Sequence, residues 1–313
     1  MQSQESNQIV VRFAPSPSGR MHAGNIASAL ITWLFARLSN GKVILRIEDL
    51  DRSRSKQEHI DNILLDFEKL GLTWDEGPYF QSSNQEAYSE ALEVLRESAH
   101  IYPCFCTRAD LAAARAPHEG EYAIYPGTCR HLSEEQISTA SARRNPSYRI
   151  EVPSETIFFD DILQGSQGFT LDAQCGDAIL RRSDGGFSYQ LAVSVDDALQ
   201  GISLVSRGYD LLASTPLQMY LLKLLGYEAP NYAHIPLLVS QEGIRLSKRN
   251  KDASIDQMLV SYHSFDGIIG HIAYLYGLSD ADRPISPDGL SKLHNIETLI
   301  NSLWKQDKII WRP

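Results

Sequence analysis

The chain has 313 residues, 43% of them hydrophobic, with 39 acidic against 29 basic side chains and a formal net charge of −10 at pH 7. That length and apolar content suffice for a large core, whereas the acidic balance excludes unspecific wrapping of nucleic acid, which draws on many Lys and Arg; a local basic patch still permits an RNA to dock. No apolar run approaches the ~20 residues that span a bilayer, Met1 to Gln8 lacks a signal-like apolar region, and four cysteines, three of them between 104 and 129, do not make a secreted disulfide framework, so the cytoplasm is the expected location.

In chain order, Ile9-Val10-Val11 predicts a strand. A Pro- and Gly-rich turn follows, and then apolar residues at Ile26, Leu30, Leu34 and Leu38 at helical spacing. A strand, such a turn and a helix leave unpaired backbone N–H groups and the positive end of the helix dipole facing a crevice where phosphates bind. His22 stands at that helix entry. Lys42 to Ile47 reads as a second strand ending in Glu48 and Asp49, and Gln57 to Leu70 as an amphipathic helix carrying Ile60, Ile63, Leu64 and Phe67 on one side. This alternation predicts a parallel sheet. Gln85 to Ala99 repeats the helical pattern until Tyr102-Pro103 breaks it.

The stretch from there to about Tyr148 reads as an insertion in the sheet domain. Cys104-Phe105-Cys106 and Tyr125-Pro126-Gly127-Thr128-Cys129 offer three soft thiolates and a phenol, ligands that suit zinc in a closed tetrahedral site. His118 and His131 are rival fourth ligands, and plain buried or free thiols are the alternative; Cys175 stands apart and is expected in the core. Tyr148 to Val152, Gly168 to Leu171 and Ala178 to Arg182 read as short strands, with Ser183-Asp184-Gly185-Gly186 a hairpin turn. The sheet resumes at Ser203 to Ser206, followed by a helix from Thr215 to Leu225 that Gly226 stops. Arg245-Leu246-Ser247-Lys248-Arg249 with Lys251 forms a basic loop able to neutralise charge growing on a transferring phosphorus. Arg143 and Arg144 make a second basic patch. No Gly-x-x-x-x-Gly-Lys-Ser/Thr loop is present, which disfavours a P-loop ATPase. From Ser254 the patterns are mostly helical and end in Trp304 and Trp311, a small helical appendage.

His22-Ala23-Gly24-Asn25 and Arg245-Leu246-Ser247-Lys248-Arg249 resemble the HIGH and KMSKS signatures of class I aminoacyl-tRNA synthetases. Arg12-Phe13-Ala14-Pro15-Ser16-Pro17-Ser18-Gly19 is similar to the segment with which the glutamyl and glutaminyl branch holds its amino acid. The likeness continues through Leu45 to Asp51, Tyr189 to Asp197 and Arg207 to Leu212, about residues 9 to 250 in all. It implies a Rossmann-type α/β catalytic domain, with halves at 1–100 and 178–240, a zinc-bearing, acceptor-binding-like insertion at 101–177, and the late basic loop with a short helical region at 241–313. Asn25 departs from the signature: it keeps a donor but cannot become a cation. The stretch after Arg249 is too short for an anticodon-binding domain, and a Cys-x-Cys pair accompanies it, as in the short members that glutamylate queuosine.

The resemblance therefore implies ATP-dependent activation of L-glutamate and its transfer to queuosine in the anticodon of tRNA(Asp). His22, Gly24, Asn25 and Lys248 would serve ATP, with His22 and Lys248 catalytic. An acidic α-amino acid needs an anion for its ammonium and cations or hydroxyls for its carboxylates. By similarity, Glu48 takes the ammonium, Arg12 and Arg207 face carboxylates, Tyr189 adds a hydroxyl, and Phe13, Ala14, Pro15 and Ser16 complete the pocket. Cys104, Cys106, Tyr125 and Cys129 would hold a structural Zn²⁺, and Mg²⁺ would accompany ATP. The expected protein is a monomer that binds neither DNA nor membrane. Two rival readings stand beside this one: an abbreviated ligase charging the tRNA 3′ end, and a catalytically silent, zinc-stabilised RNA-binding protein.

Overall fold

The computed structural model describes residues 8–51, 53–107, 109–110, 124–244, 246 and 253–312. Lys248, with Arg245, Ser247, Arg249 and Lys251, lies outside them, as does His118.

Three parallel strands open the fold: β1 (Val10–Phe13), β2 (Lys42–Ile47) and β3 (Glu76–Phe80), in the order β1-β2-β3. Between them run helices α1 (Ala23–Leu38) and α2 (Gln57–Lys69); α3 (Gln85–Ser98) follows. Continuous β-branched and leucine runs in β1 and β2 suit strands covered on both faces. After β4 (Ile101–Cys104) and β5 (Ser147–Ile150), which pair antiparallel, come β6 (Thr156–Asp161), β7 (Gly165–Thr170) and β8 (Ala178–Arg181). The second parallel unit holds β9 (Leu204–Gly208) and β10 (Asn231–Ile235), with β6 and β7 extending its edge in the order β7-β6-β10-β9. Thus β6 and β7, within the span 101–177, share the sheet of β9 and β10.

The two parallel units meet at β1 and β9. The Ser203 N–H donates to the Val10 carbonyl at 3.0 Å, and the Ser203 hydroxyl accepts from the Val10 N–H at 2.9 Å. Joined in this way the sheet runs β3-β2-β1-β9-β10, a doubly wound order whose direction of winding reverses between β1 and β9. Ligands of such sheets bind at the carboxyl ends of the strands beside that reversal. Arg12 and Phe13 end β1 there, and Arg207 and Gly208 end β9.

Ile26, Leu30, Ile31, Leu34 and Phe35 of α1 are all buried, because the sheet covers one side of this helix and late helices cover another. Those helices are Phe265–Leu275, Pro287–Ser291 and Ile296–Leu303, which contribute Ile268, Ile272, Leu290, Leu299 and Leu303 to the same core. The region after Ser254 is therefore helical as read, but it is part of the main core and not an appendage. It also carries β12 (Lys308–Ile310), which pairs parallel with β11 (Leu237–Val239) and was not legible as a strand in three residues. Elsewhere the expected turn at Ser183–Gly186 is made: the Arg182 N–H donates to the Gly186 carbonyl at 2.7 Å, and Gly185 takes a φ of +88°.

Candidate active site

A cavity of about 540 Å³ opens at the carboxyl ends of β1 and β9. Its walls bring together residues nearly two hundred positions apart: Arg12 to Ser16 from the first turn, His22, Gly24 and Asn25 from the start of α1, Glu48 after β2, Tyr189, and Arg207. Every described residue that the sequence assigned to either substrate lines this one space. Its volume falls in the range of about 300–1,000 Å³ usual for small-molecule sites.

His22 is the N-cap of α1. Its Nδ1 accepts the Gly24 N–H at 3.2 Å, and its own N–H donates to Asn25 Oδ1 at 3.2 Å, closing a reciprocal capping box. With the Nδ1 lone pair used in this way, the neutral ring carries its proton on Nε2, which makes Nε2 the donor for an anion. Asn25 likewise has its oxygen engaged and keeps its amide N–H groups for the cavity. Both side chains thus present donors at the positive end of a helix.

The late basic loop is described only at its flanks, and both lie beside this turn. Leu246 lines the cavity and is held to β11 through its N–H to the Leu238 carbonyl at 3.1 Å. On the far side, Ser254 pairs with His22 in an isolated antiparallel bridge, and the Ile255 N–H donates to the Met21 carbonyl at 3.2 Å. The described residues on either side of this segment thus lie against the cavity wall, at Leu246, and against His22, at Ser254.

The opposite wall is charged. Asp197, in the buried helix Tyr189–Leu199, accepts from Arg12 Nε at 3.0 Å and lies 2.8 Å from Arg46 Nη2. Burial pushes the Asp197 carboxyl up, but the two guanidinium groups outweigh it and hold the carboxyl below its usual range. Arg12 Nη1 also donates to the Ser206 carbonyl at 3.2 Å, and Nη2 has no acceptor among the described residues. Glu48 is less well compensated. Its nearest cation among the described residues is Arg46 at 3.6 Å, and desolvation raises its carboxyl above the ordinary value despite Arg46 and Arg12. A buried carboxylate in that condition gains most from a cation arriving in the cavity.

Arg207 is the most tightly held member. Its Nε donates to His234 Nε2 at 3.1 Å, Nη1 to Gln218 Oε1 at 2.7 Å, and Nη2 to Thr215 Oγ1 at 2.8 Å and to the Leu211 carbonyl at 3.4 Å. The Tyr189 phenol is pushed up by burial and by Glu48. A second cavity of about 320 Å³ shares Ser16, Ser18, Glu48 and Tyr189 with the first and opens past Arg54 and Arg182.

Sequence reasoning missed the roles of Asp197, Gln218 and the Asp161–His234 pair. Asp196-Asp197 within the apolar run from Tyr189 to Leu199 was the available signal, since two acids there had to be buried and paired.

In the insertion, the Sγ atoms of Cys104, Cys106 and Cys129 lie within 4.8 Å of one another, and the Cys106–Cys129 separation is 3.6 Å. The Tyr125 hydroxyl stands 3.4 Å from Cys104 Sγ and 3.6 Å from Cys106 Sγ. A tetrahedral zinc with Zn–S near 2.3 Å and Zn–O near 2.0 Å requires edges of about 3.8 Å between sulfurs and about 3.5 Å from sulfur to oxygen, so these four donors fit the ion. The Arg149 guanidinium lies 3.9 Å from the centre of the Tyr125 ring and offsets anionic charge there. His131 is exposed and outside the thiol group, and Cys175 packs half-buried against the core, with its thiol toward the Ala213 carbonyl. Arg144, from the second basic patch, donates to the Phe105 carbonyl between the first two thiols. Among the described residues, no helix is long and apolar enough to cross a membrane.

Residues 8–308 match the model of the family described as tRNA synthetases class I (E and Q), catalytic domain. A glutamyl-Q tRNA(Asp) synthetase of Symbiobacterium thermophilum is 44% identical over 291 residues, which cover 89% of this chain and 90% of that protein. A glutamate–tRNA ligase 2 of Alkalilimnicola ehrlichii is 39% identical over 279 residues, 85% of this chain but 58% of that protein. The crystal structure of a glutamate-tRNA synthetase from Elizabethkingia anophelis superposes with a TM-score of 0.80 at 27% identity, covering 98% of this chain and 68% of that one.

Proposed function

The chain belongs to the class I tRNA synthetases (E and Q), and from that premise we propose that it activates L-glutamate with ATP and transfers it to queuosine in the anticodon of tRNA(Asp). What carries this reading is the single cavity in which a phosphate-facing helix start meets the under-compensated carboxylate of Glu48.

The amino acid's ammonium pairs with Glu48, and its carboxylates face Arg12 Nη2, the remaining Nη1–H of Arg207 and the Tyr189 hydroxyl. Bidentate guanidinium geometry favours Arg over Lys for such partners. The triphosphate lies along the N-terminus of α1, where His22 Nε2–H and the Asn25 amide donate to it, and Lys248 is the cation that the sequence assigns to it. In the first step a glutamate carboxylate oxygen attacks the α-phosphorus and pyrophosphate leaves. No protein nucleophile is needed, and the protein aligns the reactants and stabilises charge on the phosphorus. In the second step a hydroxyl of the acceptor attacks the activated carbonyl and AMP leaves. The second cavity, which adjoins Glu48 and Tyr189, is the route for that hydroxyl.

Mg²⁺ would accompany ATP and neutralise phosphate oxygens. Zn²⁺ would be held by Cys104, Cys106, Cys129 and Tyr125; with every position filled by protein it stabilises the insertion and binds no water. The catalytic unit comprises residues 1–100 and 178–240 together with β6 and β7 of the 101–177 segment and the late helices of 241–313. The protein works as a cytoplasmic monomer.

The test supplies labelled glutamate, ATP and tRNA(Asp) with or without queuosine, followed by fragmentation of the RNA. Label confined to the anticodon fragment and dependent on queuosine is the expected result. Label at the 3′ end would instead make this an abbreviated ligase, and absence of glutamate-dependent ATP–pyrophosphate exchange would make it a non-catalytic RNA binder.

A further inference from the structure

Behind Arg207 lies a buried pair that the two-step reaction does not use. β9 and β10 run parallel with Arg207 opposite His234 in register, which places the imidazole beside the guanidinium. His234 is fully buried, and its Nε2 accepts from Arg207 Nε at 3.1 Å. An imidazole nitrogen that accepts carries no proton, so the ring's hydrogen is on Nδ1, where Asp161 Oδ2 stands 2.6 Å away. Asp161 is in turn fixed by the backbone: its Oδ1 accepts the N–H groups of Leu163, Gln164 and His234 at 2.9–3.1 Å. The chain of contacts therefore runs from a backbone-pinned carboxylate, through one tautomer of one histidine, to the guanidinium that lines the substrate cavity.

We infer that Asp161 and His234 are positioning residues for glutamate binding, with Asp161 selecting the Nδ1–H tautomer whose Nε2 lone pair orients Arg207 toward the substrate carboxylate. Neither residue touches the cavity. Burial keeps the ring neutral by pushing the imidazole down to about 4, so the acceptor is present throughout the neutral range. The opposite tautomer would set an N–H against the Arg207 Nε–H, donor against donor; that N–H would turn to Thr215 Oγ1 at 3.3 Å, the acceptor that Arg207 Nη2 already uses, and the guanidinium would lose its Nε partner. The inference rests on the proposed role of Arg207, and the experiment separates the two.

Asp161→Asn retains an oxygen for the three backbone donors but offers His234 an amide N–H, which moves the ring proton to Nε2. This variant is expected to raise the glutamate KM about 10- to 100-fold, the worth of a hydrogen bond to a charged group, with the ATP KM unchanged. His234→Gln supplies an amide oxygen near the position of Nε2 with no tautomer to select. It should bind glutamate more tightly than His234→Phe, and Asp161→Asn added to it should raise the glutamate KM no further. Arg207→Lys serves as the control for the underlying role. If it leaves the glutamate KM unchanged, Arg207 is not a substrate partner and the inference falls with that role. If Arg207→Lys raises the KM but Asp161→Asn does not, the relay alone is wrong. An equal penalty from Asp161→Asn in the His234→Gln background, or a parallel rise of both KM values with loss of thermal stability, would reduce the pair to a structural brace and overturn the inference.

Discussion

Replacing Gly24 by Ala separates catalysis from stability at the start of α1. A Cβ built on Gly24 would lie 3.1 Å from His22 Cε1 and 3.2 Å from Nδ1, closer than ordinary van der Waals contact, and beyond its chain neighbours and its own helix backbone it meets no other atom of the described residues within 4 Å. The backbone therefore accepts the methyl group, and the half-buried imidazole gives way by a few tenths of an ångström. Two effects on folding then oppose each other: weakening the Nδ1 cap costs ~0.5–2 kcal/mol, whereas Ala in place of Gly in a helix gains ~0.5–1 kcal/mol. The melting temperature should thus change by less than about 3 °C. Catalysis has no such offset. Turning Nε2–H away from the phosphate forfeits a hydrogen bond to a charged group, ~1.5–3 kcal/mol, so the rate constant of ATP–pyrophosphate exchange should fall about 10- to 100-fold. The glutamate KM should hold, because Glu48 and Arg207 are untouched. The assay is exchange kinetics with both substrates varied, run beside thermal melting. An unchanged rate, or a rate loss accompanied by a melting drop above about 8 °C, would refute the assignment of His22 as the donor.

The Glu48 carboxyl is raised by burial, so on acidification it takes up a proton earlier than an ordinary glutamate and the ammonium loses its partner. kcat/KM for glutamate should accordingly fall on the acid side from above the ordinary value of 4.5, and Glu48→Gln should lose that limb together with at least about 30-fold in kcat/KM. His234 has the opposite shift, from 6.5 down to about 4. Its neutral buried form contributes stability that is complete above the unfolded value and is lost as pH falls toward the folded one, ~2 kcal/mol of it by pH 5. Between pH 7 and pH 5 the wild type should lose about 3 °C of melting temperature more than His234→Gln; equal losses would contradict the buried neutral ring. Purification without chelator should yield about one zinc per chain. Cys104→Ser should lower both metal content and melting temperature while sparing exchange at low temperature, and full zinc content in that variant would remove Cys104 from the donor set.

Local chemistry made several parts readable. The strand, turn and helix around His22 follow from Pro and Gly geometry and apolar spacing over a few dozen residues, and β2 begins at Lys42 and ends at Ile47 as its residues predict. The thiol group was legible for a similar reason, since Cys104, Cys106 and Cys129 lie within one short segment, and their Sγ atoms do come together. The region after Ser254 was read as helical, but its burial against α1 was not visible, because period alone does not tell which face of which neighbour a helix will meet.

The residue types able to hold an ammonium, a carboxylate and a phosphate, and their order along the chain, are properties of the sequence alone. Which of them would be solvated and which stripped of water depended on the tertiary structure. Glu48 is short of a cation because Asp197, 149 positions later, takes Arg12 and the closer approach of Arg46, and Arg207 is held in its orientation because parallel register sets His234 beside it. Electrostatic interactions are strong only where water is excluded, and water is excluded only once β1, β9 and β10 have come together.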